Sequence, residues 1–288
     1  MNEDGDIIWN IEIPWSEYGG TFLGQAGDAI LYAYRTPDDN TLVLNRYVQT
    51  GDLLSTHTMP KDAGRVFPAN QYAYFMSEGN LKFCDTSGEI HLISMENAPH
   101  FESLFRATGN ETRLVFLVST QAAKETGYML LALDQEQNEL WSYPLKNRRI
   151  FSASEINMVI SSDGRVCIAD FPADEGDGPC ITLLDEQGRK LRTKAIKLFT
   201  GENAWLSLIR ICDNNDIIQL FGCTRTSAQS IDSWKITMDY HGEIIENCAY
   251  PEWIDFVLFT NEEPYGVLNP LENPALVKET NIAWVIQK

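Results

Sequence analysis

Three features of this 288-residue sequence predict an all-β fold, and more closely a six-bladed β-propeller closed by its own N-terminal strand. The first is a repeat. A hydrophobic strand, a tight turn centred on Gly or Asn, and a second strand recur as NEDGDIIWNIEIP, RYVQTGDLLSTHTMP, KFCDTSGEIHLISM, LALDQEQNELWSYPL, TLLDEQGRKLRTKAI and TMDYHGEIIENCAYP. The second is circular spacing. Anchored on Gly5, Gly51, Gly88, Asn138, Gly188 and Gly242, the intervals are 46, 37, 50, 50 and 54, and 51 from Gly242 through the C-terminus round to Gly5. They sum to the chain length and average 48, which suits a four-stranded blade. The third is the lack of any convincing long helical pattern; TQAAKETG is at most one helical turn, stopped by Gly127.

The elements follow blade by blade. Innermost strands are expected at TFLGQ, RVFPAN, SLFRA, NMVIS, LSLIRI and FVLFT. Second strands are DAILYAYR, QYAYFMS, TRLVFLVS, GRVCIAD, DIIQLFGC and EPYGVLN, rich in β-branched and aromatic residues between turn formers. Third strands are TLVLNRYV, NLKFCD, YMLLALD, CITLLD, SWKITMDY and NIAWVIQ, each feeding the repeated turn and an outer strand. The C-terminal NIAWVIQK has no turn after it, and the N-terminus has a turn and strand with none before it. Gly5–Pro14 is therefore expected as the outer strand of the last blade, which ties down both ends. The blades fall at about 15–59, 60–97, 98–146, 147–197, 198–251, and 252–288 with 1–14, forming a single domain. Two separate β-domains with similar hairpins, or seven blades of about 41 residues, are the alternatives.

Hydrophobic residues make up 44% of the chain, which supports a packed core and excludes disorder. No apolar run is long enough for a membrane helix, and the acidic start MNEDGDIIWN is not a signal peptide; a cytoplasmic protein is expected if Met1 is the native start. A net charge of −19 repels nucleic acid and anionic membranes. The six cysteines show no CxxC spacing and are expected as buried thiols rather than zinc ligands or disulfides.

Near-identical turns join strands three and four at one end of each blade. Unequal loops (TPDDN, SEGN, STQAAKETG, FPADEGDGP, TRTSAQS, NPLENPALVKET) occupy the other end, together with the inter-blade links. That variable end is the expected working face. On it fall Trp15, Tyr18, Trp205 and Trp253, able to bind a ligand or plug the ring, and His100, an isolated acid–base candidate. Arg148 and Arg149 of the KNRR cluster suit a carboxylate or phosphate. Asp174, Glu175 and Asp177 are weak candidates for calcium, although no DxDxDG loop is present. His57, His91 and His241 lie in the hairpins and are expected as solvated surface residues. Trp9, Trp141, Trp234 and Trp284 sit in strands and are expected to pack between blades.

The turn copies LLALDQEQNELWSYPL and ITLLDEQGRKLRTKAI resemble the repeat hairpin of quinoprotein-like propellers, and SSDGRVCIAD resembles an element of Tol-type and WD-type blades. The resemblance spans nearly the whole chain at superfamily level and implies architecture, not activity. The vicinal cysteines and acidic ligands of quinone-binding members are missing, and so is a sialidase Asp box; no cofactor is carried over. The expected function is a non-catalytic, monomeric module binding a protein or small-molecule ligand. A hydrolase or lyase with a carboxylate site, with or without calcium, and a carbohydrate-binding propeller are the alternatives.

Overall fold

In the computed structural model, residues 20–26, 28–36, 38–48, 50–94, 101–122, 125–145, 157–170, 180–195, 205–214, 217–225, 231–250, 254–259, 264–268, 275–280 and 283–287 are described. Every regular element among them is a strand. No helix is long and apolar enough to cross a membrane among the described residues. The strands form four-stranded antiparallel meanders, and the residues group into two compact units.

The first unit holds three sheets. Sheet one is β1 (Gly20–Ala26), β2 (Ala29–Arg35), β3 (Leu42–Val48) and β4 (Leu53–Thr58). Sheet two is β5 (Phe67–Ala69), β6 (Tyr72–Ser77), β7 (Asn80–Cys84) and β8 (Ile90–Leu92). Sheet three is β9 (Phe101–Gly109), β10 (Arg113–Ala122), β11 (Glu125–Asp134) and β12 (Glu139–Leu145). The second unit holds sheet four, β13 (Asn157–Ile160), β14 (Val166–Asp170), β15 (Cys180–Leu184) and β16 (Lys190–Ala195). Sheet five is β17 (Trp205–Asn214), β18 (Ile217–Arg225), β19 (Ile231–Asp239) and β20 (Ile244–Tyr250). Sheet six is β21 (Ile254–Phe259), β22 (Pro264–Leu268), β23 (Ala275–Thr280) and β24 (Ala283–Gln287).

Position within a sheet dictates composition. Middle strands are covered on both faces, so β3, β6 and β15 are almost continuously buried and mostly hydrophobic, with Asn45, Arg46, Ser77 and Thr182 as buried polar exceptions. Outer strands alternate between exposed and half-buried residues, as β4 and β8 do. Proline obeys the same logic. Pro68 and Pro144 lie in the sheet-edge strands β5 and β12, and Pro264 opens β22, where a missing N–H costs no ladder bond.

Within the first unit, Leu31, Ala33 and Leu44 of sheet one pack on Ala73, Phe75 and Cys84 of sheet two. The opposite face of sheet two presents Tyr74 edge-on to Phe116, with ring centroids 4.9 Å apart. In the second unit, Cys167, Ile181 and Leu183 meet Leu220, Trp234, Ile236 and Tyr240. Each fully buried side chain of this size contributes roughly 1.5–3 kcal/mol over exposure, so these sheet-to-sheet seams carry much of the stability. Trp234 thus packs between sheets as expected, and Trp141 is half-buried in β12. Cys84, Cys167 and Cys180 are buried and Cys248 is half-buried, and none of the four is in a disulfide. Burial pushes the Cys84 thiol up to about 11.

Two sequence expectations are corrected. TQAAKETG forms no helical turn: β10 and β11 run ten residues each and pair as far as Ala122 and Glu125. An isolated helical turn is costly to nucleate, whereas each residue added here extends an existing ladder. NIAWVIQ is not a third strand. Ala275–Thr280, read as part of a loop, takes that place by pairing with β22 and β24, so Ala283–Gln287 becomes the outer strand. Residues 1–14, assigned that outer place from the sequence, lie outside the described residues.

Candidate functional site

The repeated hairpin is the best-defined chemical feature of the described residues. It starts at Val48, Asp85, Asp134, Asp185 or Asp239. In each case the amide of the first residue donates to the carbonyl four residues on, and the amide of the fourth donates back to the first carbonyl. The fourth residue has positive φ: Gly51, Gly88, Gln137, Gly188 and Gly242. This is a type I turn closed by a residue in the left-handed region, the connection that matches strand twist. The sequence anchor Asn138 is therefore displaced by one; Gln137 holds the glycine position.

An Asp at the first position fixes the turn by capping. Asp85 Oδ1 accepts from Ser87 N at 2.8 Å, Ser87 Oγ at 2.7 Å and Glu89 N at 3.0 Å. Asp185 caps Gln187 N and Arg189 N, and Asp239 caps His241 N and Glu243 N. Such side-chain-to-backbone bonds explain Asp in tight turns.

Neighbouring sheets hold two of these turns, at Asp85 and at Asp239. The guanidinium of Arg46 on β3 is 3% exposed and donates to Gln71 O at 2.8 Å and Asp85 O at 3.1 Å on sheet two. The His57 ring from β4 fills the space that a Cβ at Gly88 would take: that Cβ would lie 2.0 Å from His57 Nδ1. His57 Nε2 lies 2.8 Å from Ser55 Oγ. Burial, then the Arg46 charge, lowers the His57 pKa. In the second unit, Arg192 and Lys194 of β16 reach His241 O, Gly242 O and Glu243 Oε1 on sheet five, and Arg165 lies 4.9 Å over the Tyr240 ring.

One hairpin adds a third element. Asp85, Glu89 and His91 bring one ligand atom each within 4.8 Å of one another. His91 Nε2 is 2.8 Å from Asp85 Oδ2, and its ring stacks on Phe83 with centroids 4.8 Å apart. The hydrogen bond from His91, followed by that from Ser87, holds the Asp85 carboxyl far below the usual range. His57 and His91 are thus half-buried and partnered, not the solvated residues expected; only the fold brings Gly88, Phe83 and Asp85 against them. His241 is exposed, as expected.

At the opposite end of sheets one and two, the polar residues are knitted together. Asp39 accepts from Thr36 Oγ1 and from Thr41 Oγ1, and these bonds bring its carboxyl to about 2. Arg35 donates to Asn40 O and Ala63 O, and Asp62 accepts from Ser77 Oγ and Glu78 N.

Of the residues assigned to a site from sequence, Trp15, Tyr18, His100, Arg148, Arg149 and Trp253 lie outside the described residues, as do Asp174, Glu175 and Asp177. Trp205 begins β17, an edge strand of sheet five. The Asp85–Glu89–His91 group escaped sequence reading although DTSGEIH contains its signal: His stands at a position where the other hairpins carry Leu or Ile.

No protein-family model and no curated protein matches this sequence. Solved structures do. The β-propeller domain of the Trilobed protease from Pyrococcus furiosus, described as having an open velcro topology, matches 95% of this chain and 84% of its own at a TM-score of 0.58 and 11% identity. The polysaccharide lyase Uly1 matches over 96% of this chain and 84% of its own, with TM-score 0.58 and 10% identity. The acylaminoacyl peptidase of Pyrococcus horikoshii matches over 96% of this chain at a TM-score of 0.55 and 12% identity, but this chain spans only about half of that enzyme (48%). Together with the antiparallel four-stranded meanders, these likenesses show a β-propeller fold.

Proposed function

We propose that this chain is a non-catalytic binding module, a six-bladed propeller in one domain that receives a protein or small-molecule ligand on the face carrying the inter-blade links, which the loops joining second to third strands share. The supporting observation is the contrast between the two ends of each sheet. At one end, the hairpin turns share one conformation, and those at Asp85 and Asp239 are held by side chains of the neighbouring sheet. At the other, the connections differ: 36–41, 78–79, 123–124, 171–179, 226–230 and 269–274 separate the second strands from the third. Alike turns serve packing, and unequal loops on a rigid frame serve recognition. The proposed contacts are Trp15, Tyr18, His100, Arg148, Arg149, Trp205 and Trp253. The proposal needs no cofactor, and it treats the protein as a monomer that avoids nucleic acid and membranes because of its charge of −19.

The test is paired substitution against a partner isolated with the full chain. Trp15→Ala and Arg149→Ala should each weaken binding by about 2 kcal/mol if they are anchors. Asp52→Ala and Glu139→Ala, exposed at the hairpin end, should leave it unchanged. Equal losses in both pairs would overturn the choice of face. Turnover of a polysaccharide or a peptide, the chemistry named for the lyase and peptidase neighbours, would overturn the non-catalytic reading. Deleting residues 1–14 tests whether they join the ring although β24 already holds the outer place of sheet six: a stable, monomeric product would remove them from it.

A further inference from the structure

We propose that Asp85, Glu89 and His91 form a binding site for a divalent first-row transition metal ion, with zinc as its representative, on the outer hairpin of sheet two. The first argument is the donor set. One imidazole and two carboxylates suit zinc-like ions, whereas calcium requires six to eight oxygens and gains nothing from nitrogen.

The second argument is geometry. Ligand atoms around a tetrahedral ion at about 2.0–2.2 Å stand roughly 3.3–3.5 Å apart. The three present here lie within 4.8 Å of one another, so movements of about an ångström bring them to bonding distance. Metal entry opens the 2.8 Å contact between His91 Nε2 and Asp85 Oδ2 and displaces the Nε2 proton to solvent. The three bonds to Asp85 Oδ1 persist and keep the carboxylate oriented, while Phe83 under the imidazole keeps the ring in place. Arg46 bonds to the Asp85 carbonyl rather than its carboxylate, so Oδ2 has no competing cation among its hydrogen-bond partners.

The third argument comes from the repeats of this chain. The position six residues after the turn start carries an exposed aliphatic side chain in the other described copies of this hairpin: Leu54, Leu140, Leu191 and Ile245. Only here is it a histidine, and the position four after the start is an acid beside it. Turn formation does not require His91, because the sibling turns close without it. The departure from the pattern therefore adds a ligand and no structural necessity. With three protein ligands, the remaining positions are open to water or to a partner's side chain.

The test is zinc titration of the chelator-treated full chain by calorimetry, with calcium as comparison. One zinc per chain should bind, and calcium should not compete. His91→Leu installs the residue of the sibling hairpins, so the protein should fold with unchanged circular dichroism and lose zinc affinity by about tenfold or more. Glu89→Gln, at an exposed position, should weaken binding in the same direction. Two variants should bind like the parent: His241→Ala, at an exposed turn, and Cys248→Ser, which removes the half-buried thiol beside Glu246. Absence of stoichiometric zinc binding, unchanged affinity in folded His91→Leu, loss in His241→Ala or Cys248→Ser instead, or equal calcium affinity would each overturn the site.

Discussion

Gly88 is the residue on which the seam between sheets one and two can be tested most directly. Its φ is +90°, and a Cβ there would lie 2.0 Å from His57 Nδ1 and 2.2 Å from Cε1. Gly88→Ala therefore meets two separate penalties. The left-handed backbone costs an L-residue roughly 1–2 kcal/mol. The His57 ring must also leave its place, giving up its bond with Ser55 and its packing, about 1 kcal/mol more. The sum is about 2–3 kcal/mol of lost stability. His57→Ala removes the obstruction, so in that background Gly88→Ala should cost only the backbone part. A double-mutant cycle by urea denaturation, followed by tryptophan fluorescence, should then return a coupling of about 1 kcal/mol. If Gly88→Ala costs the same in both backgrounds, His57 does not seat on this turn and the description of the seam is wrong.

Gln137 sits at φ +70°, where the sibling hairpins use glycine. Gln137→Gly should relieve strain beyond the extra freedom it gives the unfolded chain, raising stability by about 0.5–1 kcal/mol in the same denaturation assay; a loss would show that the Gln side chain makes a compensating contact. Arg46→Met retains bulk but strands the carbonyls of Gln71 and Asp85, and should destabilise by about 2 kcal/mol. A neutral result there would mean that water replaces the guanidinium. Asp163 gives a pH prediction. Burial raises its pKa, but bonds from Arg165 and Ser161 outweigh this and set it at about 2. A folded value below the unfolded one contributes stability above about pH 4, which is lost as pH falls towards 2. Asp163→Asn should flatten that part of the acid limb in thermal melts at pH 2–5, and an unchanged limb would refute the role of these bonds.

The local pattern was legible where chemistry and structure share one short segment. Alternating and continuous hydrophobic runs announced β2, β6, β10, β14 and β18, because a strand covered on both faces needs a side chain that tolerates burial at every position. The D-x-x-G turns were legible for the same reason, since a carboxylate capping its own loop and a residue at positive φ are local requirements. Where two readings were locally acceptable, the sequence misled. Ala275–Thr280 is short and flanked by loop formers, and only pairing with β22 and β24 makes it a strand. Gln137 and Asn138 are both acceptable turn residues, and hydrogen bonding between Asp134 and Asn138 decides which of them takes the left-handed place.

The sequence by itself determined that this protein is a chain of β-meanders, because repeat period, strand composition and turn chemistry are properties of neighbours along the chain. Only the tertiary structure decided what the charged residues do. Arg46 in the sequence is one basic residue in a strand; its role appears when sheet two brings the carbonyls of Gln71 and Asp85, 25 and 39 residues distant, to its guanidinium. His57 and His91 read as surface residues because nothing within a few positions of His57 reveals Gly88, and a hairpin must close before His91 reaches Asp85. Burial and hydrogen bonding depend on what arrives from elsewhere in the chain, and one-dimensional pattern carries no record of that arrival.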